Sequence, residues 1–233
     1  MIVKKTTLFI STFIFILLLL SSFHTHAEEQ LDYYETIAVL KELHKNETIA
    51  CHFYSAFARK AYEEKYFNVA NLFIALQSSE TIHARNFKRN LSNLGKNHFK
   101  ETSEPEINVS GTKENLKYAL SVELAEIDSS YPNFINRIKP EGYKAAMNDI
   151  TYAWKAEKQH RDLIKQMQSA LPFFFREIDK KLKKEADKYF VCQRCGSTLG
   201  KLPEHTCPIC GSPASMYKEM QNFEKFVTNT KIN

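Results

Sequence analysis

Glu80-Thr81-Ile82-His83 and Glu157-Lys158-Gln159-His160 decide how this chain is read, because each stands in the middle of a long apolar-periodic run. Residues three apart share one face of a helix, so each stretch projects an oxygen and a nitrogen donor in the same direction. From Leu31 to Gln168 the sequence is rich in Ala, Leu, Glu, Lys and aromatics, with apolar residues every three or four positions and almost no strand signal. Breaks at 63–67, 95–111 and 140–142 divide this region into four predicted helices, roughly 31–63, 67–95, 112–139 and 141–170. Ser110-Gly111-Thr112 offers a hydroxyl to cap the third. Segment 96–111, with Pro105, is long enough to cross over a bundle.

Glu47 falls on the first predicted helix and Glu123-x-x-Glu126 on the third. Glu47 and Glu80 are equidistant from the turn near Glu64. Glu123-x-x-Glu126 and Glu157-x-x-His160 are equidistant from the turn at Glu141-Gly142. In an antiparallel hairpin, residues equidistant from the turn lie at one height. The chain therefore reads as two similar hairpins, each contributing half of one site. A single Glu-x-x-His on a helix is ordinarily a solvated face; the joint match of four segments is what carries weight. Five carboxylates and two imidazoles at one depth of an apolar core are untenable without cations. Mostly oxygen donors with two imidazoles suit a pair of iron or manganese ions.

Near the carboxyl end, Cys192-x-x-Cys195 and Cys207-x-x-Cys210 form a second, chemically different ligand set. Each pair presents two thiolates from one tight turn, and two facing turns make a closed tetrahedral site for zinc or a single iron. Gly196 and Gly211 follow the two pairs and let the backbone turn toward the sulfurs. Pro203, Pro208 and Pro213 mark residues 189–223 as short strands and turns. Leu171-Pro172 is expected to end the fourth helix, with a charged helical linker over 171–188 and a tail at 224–233. Cys51, left over in mid-helix, reads as a small buried hydrophobe.

The chain opens with Lys4 and Lys5, then an apolar run from Leu8 to Leu20 and small residues around Thr25-His26-Ala27. That pattern predicts a secretory signal peptide over 1–27, or an uncleaved anchor, and so an exported protein. Removing 27 of 233 residues leaves a 28–170 bundle and its small appendage, and lowers the formal charge from +5 to +3. The lysines at 180, 181, 183 and 184 are interleaved with acids, which predicts a solvated helix face and no nucleic-acid partner.

On these residues the chain resembles rubrerythrin: a ferritin-like four-helix bundle holding two irons, followed by a small rubredoxin-like, zinc-ribbon-like β module. Glu141-Gly142-Tyr143 and Tyr131-Pro132 match further stretches of that family. The resemblance implies that Glu47, Glu80, His83, Glu123, Glu126, Glu157 and His160 ligate two non-haem irons. Glu80 and Glu157 would bridge them, and Glu126 would exchange with His83 on reduction. Tyr54 and Tyr131 match tyrosines close to the site and stand as candidate catalytic residues. The four cysteines would hold one iron, with zinc as the alternative. The implied activity is reduction of hydrogen peroxide to water, with electrons from an unidentified donor relayed through the cysteine iron. A head-to-tail homodimer would bridge two sites expected to be far apart within one chain. Ferroxidase or iron-handling activity, and a structural zinc ribbon, are the competing readings. Lys65 stands where the family has glycine in the first turn, and Ser197 where an aromatic commonly shields the metal–sulfur centre.

Overall fold

In a computed structural model, residues 32–96, 106–181, 188–220 and 223 are described, and the side chains of 170–181 are not. The predicted leader, the centre of the crossover, the lysine-rich end of the linker and the tail beyond Phe223 lie outside them. Among the described residues, no helix is long and apolar enough to cross a membrane. Five α-helices dominate the described residues: α1 (Tyr34–Glu63), α2 (Phe67–Asn93), α3 (Thr112–Ala125), α4 (Tyr131–Ile138) and α5 (Lys144–Lys181). A three-stranded antiparallel sheet in the order β2-β1-β3 follows, from Phe190–Cys192 (β1), Thr198–Leu199 (β2) and Tyr217–Glu219 (β3).

Three helical expectations need correction. The predicted third helix is divided: the turn Glu126–Ser130 is π-helical, and Tyr131 N–H bonds the Glu126 carbonyl five residues back. Pro132 explains this, since it has no N–H for the Asp128 carbonyl and its ring would press on it; a widened turn relieves both. Trp154 Nε1 donates to the Ile127 carbonyl of the same turn at 2.9 Å. Second, no hydroxyl caps α3. Gly111 is its N-cap, and Glu64, from the α1–α2 turn, accepts from Thr112 N–H at 2.9 Å and Thr112 Oγ1 at 2.6 Å. Third, Leu171-Pro172 does not end the last helix, which runs on to Lys181. A proline inside a helix costs about 3 kcal/mol, which the rest of the 38-residue ladder outweighs.

Acids also close the other end of the bundle. Glu141 accepts from the N–H groups of Glu35 and Thr36, both at 2.8 Å, and so caps α1 from the α4–α5 turn. Gly142, at φ 67°, makes that turn possible. Lys65 takes φ 65° in the turn between α1 and α2.

Two apolar clusters fill the bundle. One gathers Phe57, Phe73, Leu76, Leu116, Ala119 and Ile164; the other gathers Leu40, Leu43, Phe87, Tyr131, Ile150 and Ala153. On every long helix the predicted ligands fall between them: Glu47 after Leu43, Glu80 after Leu76, Glu123 after Ala119, Glu157 after Ala153. The turn-distance argument is thereby realised as one polar layer between two oily ones.

Candidate metal centre

Four helices each supply a buried acid to this layer, and two of them supply an imidazole one turn further on. The donors form two overlapping groups, Glu47, Glu80, His83, Glu157 and Glu80, Glu123, Glu157, His160, each with its ligand atoms within 4.8 Å of one another. Glu80 and Glu157 belong to both. Glu80 presents Oε2 to His83 Nδ1 at 2.8 Å and Oε1 to His160 Nδ1 at 3.2 Å. Glu157 does the same with Oε1 at 3.1 Å and Oε2 at 2.8 Å. One oxygen facing each side is the arrangement of a bridging carboxylate. Glu126 belongs to neither group. It lies half-buried on the π turn, and His83 completes the Glu47 group, which is one of the two arrangements the resemblance implies.

Charge in this layer does not balance comfortably. Burial raises Glu47 well above the usual carboxylate range and pushes Glu123 up to about 8. Burial would also raise Glu157, but His160 and His83 outweigh it and hold that carboxyl low. Both imidazoles are raised by the surrounding carboxylates against a burial effect of opposite sign. Even so, His160 Nδ1, Glu157 Oε2 and Glu123 Oε2 are buried with no hydrogen-bond partner. His160 Nδ1 and Glu157 Oε2 lie 2.8 Å apart, within a donor group whose ligand atoms all fall within 4.8 Å of one another. Orphaned acceptors of this kind fit a pair of cations.

Tyr54 O–H donates to Glu123 Oε1 and Tyr131 O–H to Glu47 Oε1, both at 2.5 Å. Each tyrosine fixes a carboxylate found in only one of the groups. The structure thus places both candidate catalytic tyrosines directly against the ligand layer, each holding one carboxylate.

The cysteine module sits directly on this site, which corrects the expectation that the two centres are far apart in one chain. Ser79, His83 and Asn86 form an i, i+4, i+7 stripe on α2. Ser79 Oγ donates to the Gly196 carbonyl at 2.7 Å, His83 Nε2 lies 3.2 Å from the Cys195 carbonyl, and Asn86 Nδ2 donates to the Arg194 carbonyl at 2.8 Å. Arg85 adds a bond to the Gln193 carbonyl. From α5, Gln159 Oε1 accepts from Thr198 N–H and Ser197 Oγ, both at 3.0 Å. Thr198 Oγ1 donates to the Gly196 carbonyl and faces His160 Nε2 at 3.3 Å. The module therefore offers an acceptor to the Nε2–H of each imidazole, which leaves both Nδ1 lone pairs for metal. A Cβ on Gly196 would collide with His83 Nε2, whereas one on Gly211 would meet nothing within 4 Å.

None of the five cysteines is in a disulfide. Cys192 and Cys210 sulfurs are 3.8 Å apart, Cys195 and Cys207 sulfurs 3.6 Å. Those are the edges of a tetrahedron with metal–sulfur bonds of about 2.3 Å; a disulfide would be near ~2.05 Å. Cys51 is only half-buried. Its sulfur faces Thr81 Oγ1 at 3.4 Å, and burial pushes its thiol up to about 12, so it is inert. Ser79, Asn86, Gln159 and Thr198 were not singled out from sequence. A polar i, i+4, i+7 stripe on α2 was visible, but nothing marked it as the seat of a distant module.

Fold and site together define a ferritin-like dinuclear carboxylate protein carrying a rubredoxin-like four-cysteine module. The family model for rubrerythrin matches residues 39–168, and the chain belongs to the rubrerythrin family. Its members are oxidoreductases with a di-iron and a four-cysteine iron site. The chain is similar to rubrerythrin-2 of Clostridium acetobutylicum, 29% identical over 76% of this chain and 91% of that one. It is also similar to nigerythrin of Nitratidesulfovibrio vulgaris, 27% identical over 84% of this chain and 92% of that one. Solved structures of nigerythrin in its fully reduced, all-ferrous state and in a mixed-valence state superpose with TM-scores of 0.66. Each is 26% identical and covers 79% of this chain and 86% of that one.

Proposed function

We propose that this chain reduces hydrogen peroxide to water at a di-iron centre re-reduced by a four-cysteine iron of the same chain. One observation carries the reading: His83 offers Nδ1 to the dinuclear site while its Nε2 lies 3.2 Å from the carbonyl of Cys195, itself a ligand of the other centre. The path between the two centres then runs through one imidazole, one hydrogen bond and one residue, Cys195.

Glu47, Glu80, His83, Glu123, Glu157 and His160 would hold the pair, and Cys192, Cys195, Cys207 and Cys210 the single metal. When bound, irons supply electrons and Lewis acidity for O–O cleavage. The rest belongs to the protein. Tyr131 and Tyr54 fix Glu47 and Glu123, and the two apolar clusters keep bulk water from the layer. The module's carbonyl and hydroxyl lock both imidazole tautomers. Reduction consumes two protons and two electrons per peroxide, with an external donor, unidentified here, feeding the cysteine centre one electron at a time. The relay runs within one chain, so a homodimer is proposed as an assembly and is not needed for the path. Export is also proposed, on the amino-terminal pattern alone; recovery of the cell-surface or secreted protein with Met1 intact would defeat cleavage.

The test is spectroscopic. Aerobically purified protein is expected to show the intense visible colour of ferric thiolate, which zinc lacks. Anaerobic mixing of reduced protein with peroxide is expected to reoxidise the bundle irons much faster than oxygen does. A colourless protein with full metal at the cysteines removes the relay. Equal rates with peroxide and oxygen favour ferroxidase chemistry instead.

A further inference from the structure

We propose that Tyr217 sets the electron affinity of the metal held by the four cysteines, and that Ser197 moderates it by competing for the same proton. Tyr217, at the start of β3, places its hydroxyl 3.2 Å from Cys207 Sγ and 2.8 Å from Ser197 Oγ. A phenol has one proton to give, and here it has two acceptors. Ser197 is free to accept because its own proton is committed to Gln159 Oε1 at 3.0 Å. Gln159 in turn is held by Thr198 N–H at 3.0 Å, so this side of the arrangement is anchored on α5 between Glu157 and His160. Ser197 is fully buried, and water cannot take its place.

A bond donated to a ligand sulfur stabilises the more negative, reduced centre more than the oxidised one, and so raises its potential. The couple is a single electron, ferric to ferrous, with no bond broken and no proton released. Tyr217 strengthens this preference and Ser197 dilutes it. A serine at 197 is therefore more than the loss of a shielding ring: it gives the tyrosine a second partner. Because Ser197 is tied to α5 through Gln159, the division of the proton is set by how the module is seated on the bundle.

The inference rests on iron as the resident metal only for the potential, so the test has two arms, both on the full chain. In iron-loaded protein, Tyr217→Phe, which removes only the hydroxyl, is expected to lower the potential. The expected size is roughly a tenfold change in the ferrous-to-ferric ratio at fixed poise, about 59 mV for one electron. Ser197→Ala is expected to raise it. The double variant is expected to match Tyr217→Phe, since Ser197 acts only through the tyrosine. In cobalt-loaded protein, the sulfur-to-cobalt charge-transfer band is expected to move to longer wavelength in Tyr217→Phe and to shorter wavelength in Ser197→Ala. The cobalt arm reads the hydrogen bond whichever metal is native. A colourless native protein with these cobalt shifts defeats the relay and leaves Tyr217 standing. A cobalt band and an iron potential unmoved by Tyr217→Phe overturn the proposal. A Ser197→Ala shift of the same sign as that of Tyr217→Phe, or one that persists in the Tyr217→Phe background, overturns the competition.

Discussion

Two single positions show how much one atom can decide. Gly196 has φ 80° and abuts His83 Nε2 and Ser79 Oγ, while Gly211 has φ 71° and open space around it. Gly196→Ala is expected to unseat the module from the bundle and slow re-reduction of the bundle metals roughly 10–100-fold, the usual cost of losing a partner of a metal-bound histidine. Gly211→Ala, which carries only the backbone strain, is expected to leave that rate within about twofold. Stopped-flow spectra of both variants decide it, and equal slowing in the two would refute the docking role. Lys65 presents the opposite case: a side chain stands where φ 65° suits glycine. Lys65→Gly is expected to stabilise the fold by about 0.5–1 kcal/mol, seen as a higher urea midpoint with an unchanged m-value.

Elements in this bundle are held at their ends by acids borrowed from opposite turns. Glu64 caps α3 and Glu141 caps α1, so each turn fastens a helix of the other hairpin. Burial alone would raise the Glu141 carboxyl, but the hydrogen bonds from Thr36 and Glu35 outweigh it and hold it below the usual carboxylate range. A lowered folded-state value means the ionised acid stabilises the protein at neutral pH, and that contribution disappears as pH falls through the folded value. Glu141→Ala is expected to cost about 1 kcal/mol at pH 7. The gap from wild type should close below that value, which urea midpoints across pH 3–7 would reveal. A gap independent of pH would mean that packing, not the cap, is what was lost.

At the scale of the whole molecule, the polar layer between two apolar clusters couples metal binding to folding. Removing the metals leaves orphaned carboxylate oxygens and an imidazole nitrogen in the core, so a chelator is expected to lower the unfolding temperature markedly. Ligation at a hundredfold excess over Kd is worth about 2.7 kcal/mol by mass action. Glu80→Ala and Glu157→Ala each remove an oxygen donor from both groups and are expected to abolish dinuclear binding while the cysteine metal remains. Elemental analysis checks this directly; normal bundle stoichiometry in either variant would contradict the ligand set.

The helices, the layer and the cysteine tetrad were legible because each rests on short-range periodicity. Helical spacing puts Glu80 with His83, and distance from a turn puts Glu47 level with Glu80. The Cys-x-x-Cys spacing likewise points both thiolates of a pair inward. The π turn needed more: Pro132 was in view, but only neighbours such as Trp154 settle how a helix absorbs a proline. Caps supplied by Glu64 and Glu141, and tyrosines bound to single carboxylates, depend on contacts between segments far apart in the chain. What the sequence by itself determined was which acids, imidazoles and thiols would gather and, Glu126 apart, at what depth, since periodicity is a local property of the backbone. Only the tertiary structure decided that the cysteine module rests on the two histidines, because the return of the chain to its own bundle is fixed by hydrogen bonds between segments far apart in sequence, those to α2 over a hundred residues apart.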